Sequence, residues 1–157
     1  MESTYMEIEM RYGHPGFLRA YGEAWSSGDE HLLSRFLTED AQYLEAGMGV
    51  DYIGREHVLR FFRFMLKFSS DSLVEFTDAI HADGAFAAEW TWSGVADGPL
   101  RLGERLLPAT GHRYSVRGVA LCRVTPEGLV SYHKDVYNVL ELLDQLGTGQ
   151  LETGTTA

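Results

Sequence analysis

Residues Phe86 to Ser93 alternate without a break. Phe86, Ala88, Trp90 and Trp92 fall on one side of an extended chain, and Ala87, Glu89, Thr91 and Ser93 on the other. Successive strand side chains point to opposite faces. The pattern therefore predicts a strand with one face against a core and one toward water. Leu73 to His81 reads as its partner across Ala82-Asp83-Gly84-Ala85, a good hairpin turn. Leu107 to Leu121 reads as a turn feeding a long strand. One more strand follows Thr125-Pro126-Glu127-Gly128 and ends in Tyr132-His133-Lys134-Asp135-Val136-Tyr137. The loop between Ala96 and His112 is long, and loops of that length often cover a pocket.

The first half has helical spacing instead. His14-Pro15 opens a helix carrying Phe17, Leu18, Tyr21, Ala24 and Trp25 on one face. Gly28 suits its stop, and Asp29 the N-cap of a short helix burying Leu32, Leu33, Phe36 and Leu37. Ala41 to Glu45 reads as a strand, followed by a glycine-rich crossing through Gly47, Gly49 and Gly54. A third helix runs from about Arg55 to Lys67. Val58, Leu59, Phe62, Met65 and Leu66 form its main stripe, and Phe61, Phe64 and Phe68 a second. A helix apolar over so much of its circumference is deeply buried or lines a cavity. A final helix is expected to turn Val139, Leu140, Leu142, Leu143 and Leu146 inward. Helices, a mostly antiparallel sheet and a closing helix make an α+β layer architecture. The expected boundaries are a loose arm over residues 1–13, one domain over 14–147 and a frayed tail over 148–157.

Charge narrows the partners. The 157 residues carry a formal net charge of −10, which argues against nucleic acid and against an anionic membrane surface. A hydrophobic content of 45% supports a packed globule whose easier partner is a hydrophobic or neutral small molecule. Cys122 stands alone, so no intrachain disulfide is available. No run of about 18 apolar residues predicts a membrane span. The acidic N-terminus is not a signal peptide, and cytoplasm is the default location.

The candidate chemistry lies at strand ends. Glu45 follows an apolar strand and precedes a glycine turn; in an apolar pocket, desolvation would raise its pKa toward neutrality and make it a usable acid or base. Asp135 and His133 are two residues apart, so they point to the same side of their strand and could share a proton. Tyr137 shares that face. Tyr21 and Tyr43 could donate hydrogen bonds to a substrate oxygen. Trp90, Trp92 and the third helix's phenylalanines, Phe62 among them, would form an apolar wall suited to a flat polycyclic or polyene ligand. His57, His81 and His112 lack metal-ligand spacing, and no nucleotide-binding glycine motif is present. No metal or cofactor is expected. Arg113, Arg117 and Arg123 alternate on one strand face, expected to be the outer sheet surface.

From Phe17 to Gly147 the chain resembles the nuclear transport factor 2-like superfamily, and within it the SnoaL-like polyketide cyclase branch. The resemblance rests on Ala24-Trp25-Ser26-Ser27-Gly28-Asp29, Phe36-Leu37-Thr38-Glu39-Asp40-Ala41, Tyr52-Ile53-Gly54-Arg55-Glu56, Leu107-Pro108-Ala109-Thr110-Gly111 and His133-Lys134-Asp135-Val136-Tyr137. It implies a cone-shaped α+β barrel, a curved sheet wrapped around about three helices with a pocket between them, and a homodimer. In the ketosteroid isomerases of this superfamily a first-helix tyrosine stabilises an oxyanion and a first-strand carboxylate shuttles a proton. Tyr21 and Glu45 fall at those positions, but Ala120 stands where the second, acidic oxyanion donor belongs. In limonene-epoxide hydrolases a last-strand aspartate helps activate water, and Asp135 falls there. Tyr43 matches their first-strand tyrosine and Glu45 replaces their asparagine. Trp90 and Trp92 occupy the places of their arginine and second aspartate.

Both comparisons leave Glu45 and Asp135, expected to enter one pocket from opposite walls. The leading expectation is a cofactor-free isomerase or cyclase acting by acid–base catalysis on a polyketide- or terpenoid-like substrate, with Tyr43 and Tyr21 polarising oxygen. An epoxide hydrolase and a binding protein without chemistry are the alternatives.

Overall fold

The structure, a computed structural model, describes residues 7–147. The tail expected over 148–157 lies outside the described residues. Helix α1 spans Phe17–Ser26 and buries Phe17, Tyr21 and Ala24, the i, i+4, i+7 face that its sequence spacing predicts. It begins after Gly16 rather than at Pro15. Asp29 caps α2 (Glu30–Ser34), its carboxylate accepting from the backbone N–H groups of His31 and Leu32. Such a cap stabilises a helix by about 1 kcal/mol. Phe36 and Leu37 are buried as expected, but from beyond this short helix: Leu37 already opens strand β1 (Leu37–Glu45).

The glycine-rich crossing contains a strand of its own. β2 (Val50–Ile53) folds back antiparallel on β1. Gly49 and Gly54 flank it at positive φ, where a side chain would be strained. Helix α3 (Arg55–Phe68) follows and buries Val58, Leu59, Phe61, Phe62 and Phe68. Strands β3 (Leu73–Ala82) and β4 (Ala85–Val95) form the expected hairpin, turning at Asp83-Gly84. The long loop is partly ordered into a small hairpin, β5 (Leu100–Leu102) with β6 (Arg105–Leu107), whose Leu100 is buried. β7 (Arg113–Val124) and β8 (Val130–Tyr137) complete the strands. Helix α4 (Val139–Leu146) is capped by Asn138 and stopped by left-handed Gly147. It turns Leu142 and Leu146 inward, whereas Leu140, expected inside, is exposed.

Six strands form a curved sheet in the order β2-β1-β8-β7-β4-β3. Every neighbouring pair is antiparallel except β1 and β8, the second and third strands from the β2 edge, which run parallel. The inner face carries Phe86, Ala88, Trp90 and Trp92 from β4, with Val116 and Ala120 from β7, against the helices. Arg113, Arg117 and Arg123 lie on the exposed face of β7. The segment expected as a loose arm is corrected over part of its described length. Met10 is buried, Tyr12 stacks on Phe86, and the Tyr12 N–H donates to the Gly128 carbonyl at 2.9 Å. Among the described residues no helix is long and apolar enough to cross a membrane.

Candidate active site

Parallel pairing of β1 with β8 sets Tyr43 beside His133 and Glu45 beside Asp135. The two carboxylates are therefore register neighbours on one wall. The expectation of opposite walls is corrected: both strands pass the pocket side by side, at the usual spacing of about 5 Å.

Each carboxylate has its own surroundings. Asp135 accepts from three side chains. The Trp90 indole N–H donates to Oδ1 at 2.9 Å, His133 Nε2 to the same oxygen at 2.8 Å, and the Tyr43 hydroxyl to Oδ2. His133 is buried, which alone would lower its pKa. The Asp135 charge and hydrogen bond, together with Cys122 and Tyr21, outweigh burial and hold it well above the ordinary histidine value. The protonated ring donates from both nitrogens, and Nδ1 meets the Tyr21 oxygen at 2.8 Å. Burial lifts the Tyr21 hydroxyl to about 12 and Tyr43 well above 10, so both remain hydroxyls.

Glu45 is only 2% exposed, yet among the described residues no ion pair engages it. Its Oε2 accepts from the Tyr137 hydroxyl and Oε1 from the Gly47 N–H, each at 3.0 Å. Burial raises its pKa to about 7. The Tyr137 hydrogen bond pulls it down and the Asp135 charge pushes it up. Glu45 can thus hold or release a proton near neutrality, as a general acid or base must.

Two glycines make these contacts possible. Gly118 is the β7 register partner of Trp90, and a Cβ there would collide with the indole ring. The ring lies over the bare backbone with its N–H on Asp135. A Cβ on Gly47 would come within 2.7 Å of the Tyr137 ring that serves Glu45.

The pocket has a volume of about 680 Å³, the space at its open mouth included. Glu45, Asp135, Tyr43, His133, Trp90, Trp92, Phe62 and Tyr137 all line it. Tyr21 does not; it sits behind His133 and reaches the cavity only through that ring. Sequence reasoning did not single out Trp25, Met48, Ser72, Val74 and Phe76 as lining, whereas Phe61 lines it with the third helix's other expected wall residue, Phe62. Phe61 belongs to the second stripe of its helix, and its ring stacks on Tyr43 with centroids 4.7 Å apart. Ser72 accepts from the Trp92 indole at 2.8 Å and so fixes that wall. Among the described residues no three His, Cys, Asp or Glu side chains converge as metal ligands would.

The sequence profile of the SnoaL-like domain matches residues 18–133. No curated protein matches the chain. Solved structures do. A candidate SnoaL-like polyketide cyclase from Jannaschia sp. CCS1 superposes with a TM-score of 0.72 at 17% identity, over 90% of this chain and 92% of the other. A protein with a ketosteroid isomerase-like fold from Catenulispora acidiphila DSM 44928, solved with trimethylamine, gives 0.71 at 20% identity, over 85% and 93%. TsrD from Streptomyces laurentii gives 0.67 at 26% identity, over 94% and 96%.

Proposed function

The chain belongs to the SnoaL-like domain family, and from that premise we propose that it is an isomerase or cyclase working by general acid–base catalysis. Its substrate is a hydrophobic, polyketide- or terpenoid-like small molecule, and no cofactor takes part. The observation that carries this reading is the pair of adjacent carboxylates on an aromatic-walled pocket, one able to change protonation near neutrality and one held by three donors.

Glu45 takes the proton from a carbon next to a carbonyl. The electron pair moves onto the carbonyl oxygen as an enolate. The Tyr43 hydroxyl, turning from Asp135 to the carbonyl oxygen, donates to the growing negative charge, while the His133 cation beside Asp135 offsets the carboxylate's own charge. Glu45 then returns the proton to another carbon, which is isomerisation, or to an alkoxide formed when the enolate closes a ring. Trp90, Trp92 and Phe62 hold the apolar body. Tyr21 positions His133 without touching the substrate.

The test is proton exchange. Flat polyketide-like β-diketones and enones incubated with the protein in heavy water should gain deuterium at the acidic carbon, and Glu45→Gln should slow this about 10²- to 10⁴-fold. Equal exchange by Glu45→Gln and Asp135→Asn would remove the mechanism. Asp135 bonded to Tyr43 is also a pairing that could hold water against an epoxide. Labelled solvent oxygen appearing in product would identify hydrolysis instead. The outer sheet face exposes Val119, Leu121 and Val136, and we expect a second copy to cover it. Sedimentation as a monomer alone would rule that out.

A further inference from the structure

A second hollow adjoins the catalytic pocket. It is an open groove of about 860 Å³ between β2, α3 and the β5–β6 hairpin. Glu45 and Met48 line both spaces, so the groove is the outer reach of the same cleft. Its walls differ from those inside. Arg60 comes from α3 and Arg101 from β5, with His57 one helical turn before Arg60. The His57 Nδ1–H donates to the Ile53 carbonyl at 2.6 Å, which leaves Nε2 available.

These arginines stand out in a chain of net charge −10. Within the described residues, ion pairs engage Arg19, Arg35, Arg63 and His133, but neither Arg60 nor Arg101. The Arg101 guanidinium rests 5.3 Å from the centre of the Phe64 ring, which steadies it without neutralising it. Asp51 shares the groove and forms no ion pair with either arginine. Tyr52 lies close enough to feel Glu45, Arg101 and Arg60 alike, which places both cations near the mouth beside the catalytic carboxylate.

We infer that the groove binds a carboxylate on the substrate, through Arg60 and Arg101, while the substrate's apolar body passes Met48 into the inner pocket. The inference rests on the reading that the inner pocket takes the substrate. Its chemical logic is orientation. An anionic group is repelled by Glu45 and Asp135 and attracted by the guanidinium forks, which match a carboxylate's geometry. A flat molecule with an acid at one end therefore enters ring first, and the same ring atoms always meet Glu45. The substrate class narrows to aromatic or polycyclic carboxylic acids.

The test compares anthracene-2-carboxylate with its neutral primary amide, a pair of nearly equal shape. Binding is read by quenching of tryptophan fluorescence and by calorimetry. The wild-type protein should bind the acid about fivefold to tenfold tighter than the amide, as two partly exposed charge pairs allow. Added salt should shrink the ratio. The Arg60→Gln, Arg101→Gln double variant should bind both equally while keeping its affinity for the amide, which shows that it is folded. Arg117→Gln, on the outer sheet face, should keep the full ratio. A wild-type ratio of one, a ratio undiminished in the double variant, or binding of neither compound would overturn the inference. No turnover is read here. An acid preference seen in a protein that catalyses no proton exchange would therefore leave this inference standing and defeat the proposed reaction alone.

Discussion

Glu45 and Asp135 are register neighbours on adjacent strands, yet they inhabit different electrostatic worlds. Asp135 has three side-chain donors, one of them the His133 cation. Glu45 has the Tyr137 hydroxyl and the backbone N–H groups of Gly47 and Met48, and among the described residues no ion pair engages it. The difference teaches that surroundings, not residue type, set how two neighbouring acids are held. The strand carrying His133 gives its own aspartate a counter-ion and leaves the neighbour near neutrality. One carboxylate is tied by three donors, and the other can change protonation near pH 7.

The strongest way to break the contrast is Glu45→Gln. It should cost about 10²- to 10⁴-fold in proton exchange while leaving ligand binding in place, measured by turnover beside calorimetry. In the wild type, kcat/KM should rise with pH through an apparent pKa of about 7, as the base form of Glu45 appears. A flat profile there would deny Glu45 the part of base. His133→Gln attacks the other side. It leaves Asp135 buried without its cation and should destabilise the fold by about 3–5 kcal/mol in denaturant titration. In the same variant the pH–rate limb should move upward, because the Asp135 charge raises the Glu45 pKa and is no longer balanced.

A thermodynamic test sharpens the comparison further. The folded Glu45 pKa lies above its value in the unfolded chain, so its ionisation opposes folding. The penalty is absent below the unfolded value of about 4.5 and grows as pH rises toward about 7. It levels off above that at about 3 kcal/mol. Glu45→Gln should erase this pH-dependent loss, so the two stability curves separate between weak acid and mild alkali. Gly118→Ala should cost about 1–3 kcal/mol through overpacking and shift the Trp90 emission as the indole leaves Asp135. The smallest effect belongs to Tyr137→Phe. Losing a hydrogen bond that lowers the Glu45 pKa should raise the pH–rate midpoint with little change in stability.

Local rules reached far into this site. Alternation turned Trp90 and Trp92 inward, and the two-residue spacing set His133 and Asp135 on one face. The turn at Gly84 and the cap at Asp29 follow from chemistry within four residues. What escaped was pairing at a distance. No local pattern joins β1 to β8, so Glu45 and Asp135 read as facing residues when they are neighbours. The helical spacing of Tyr21 marked it as inward but could not say that His133 stands between it and the cavity. The glycines at 47, 49 and 54 marked a turn and hid the four-residue strand among them. Gly118 read as an ordinary strand glycine, because its role is visible only once Trp90 lies across it.

The seam between β1 and β8 joins residues 92 positions apart in the chain, as the Tyr43–Asp135 and Tyr137–Glu45 bonds show. A ribosome must therefore deliver the chain through Tyr137 before Glu45 meets the strand that completes its surroundings. Until then β1 can pair only with β2 and keeps one edge bare. Contacts so distant are slow to form. The acid pair thus assembles only after β8 has emerged, and a chain cut short before that strand would lack both the pair and one wall of the hollow.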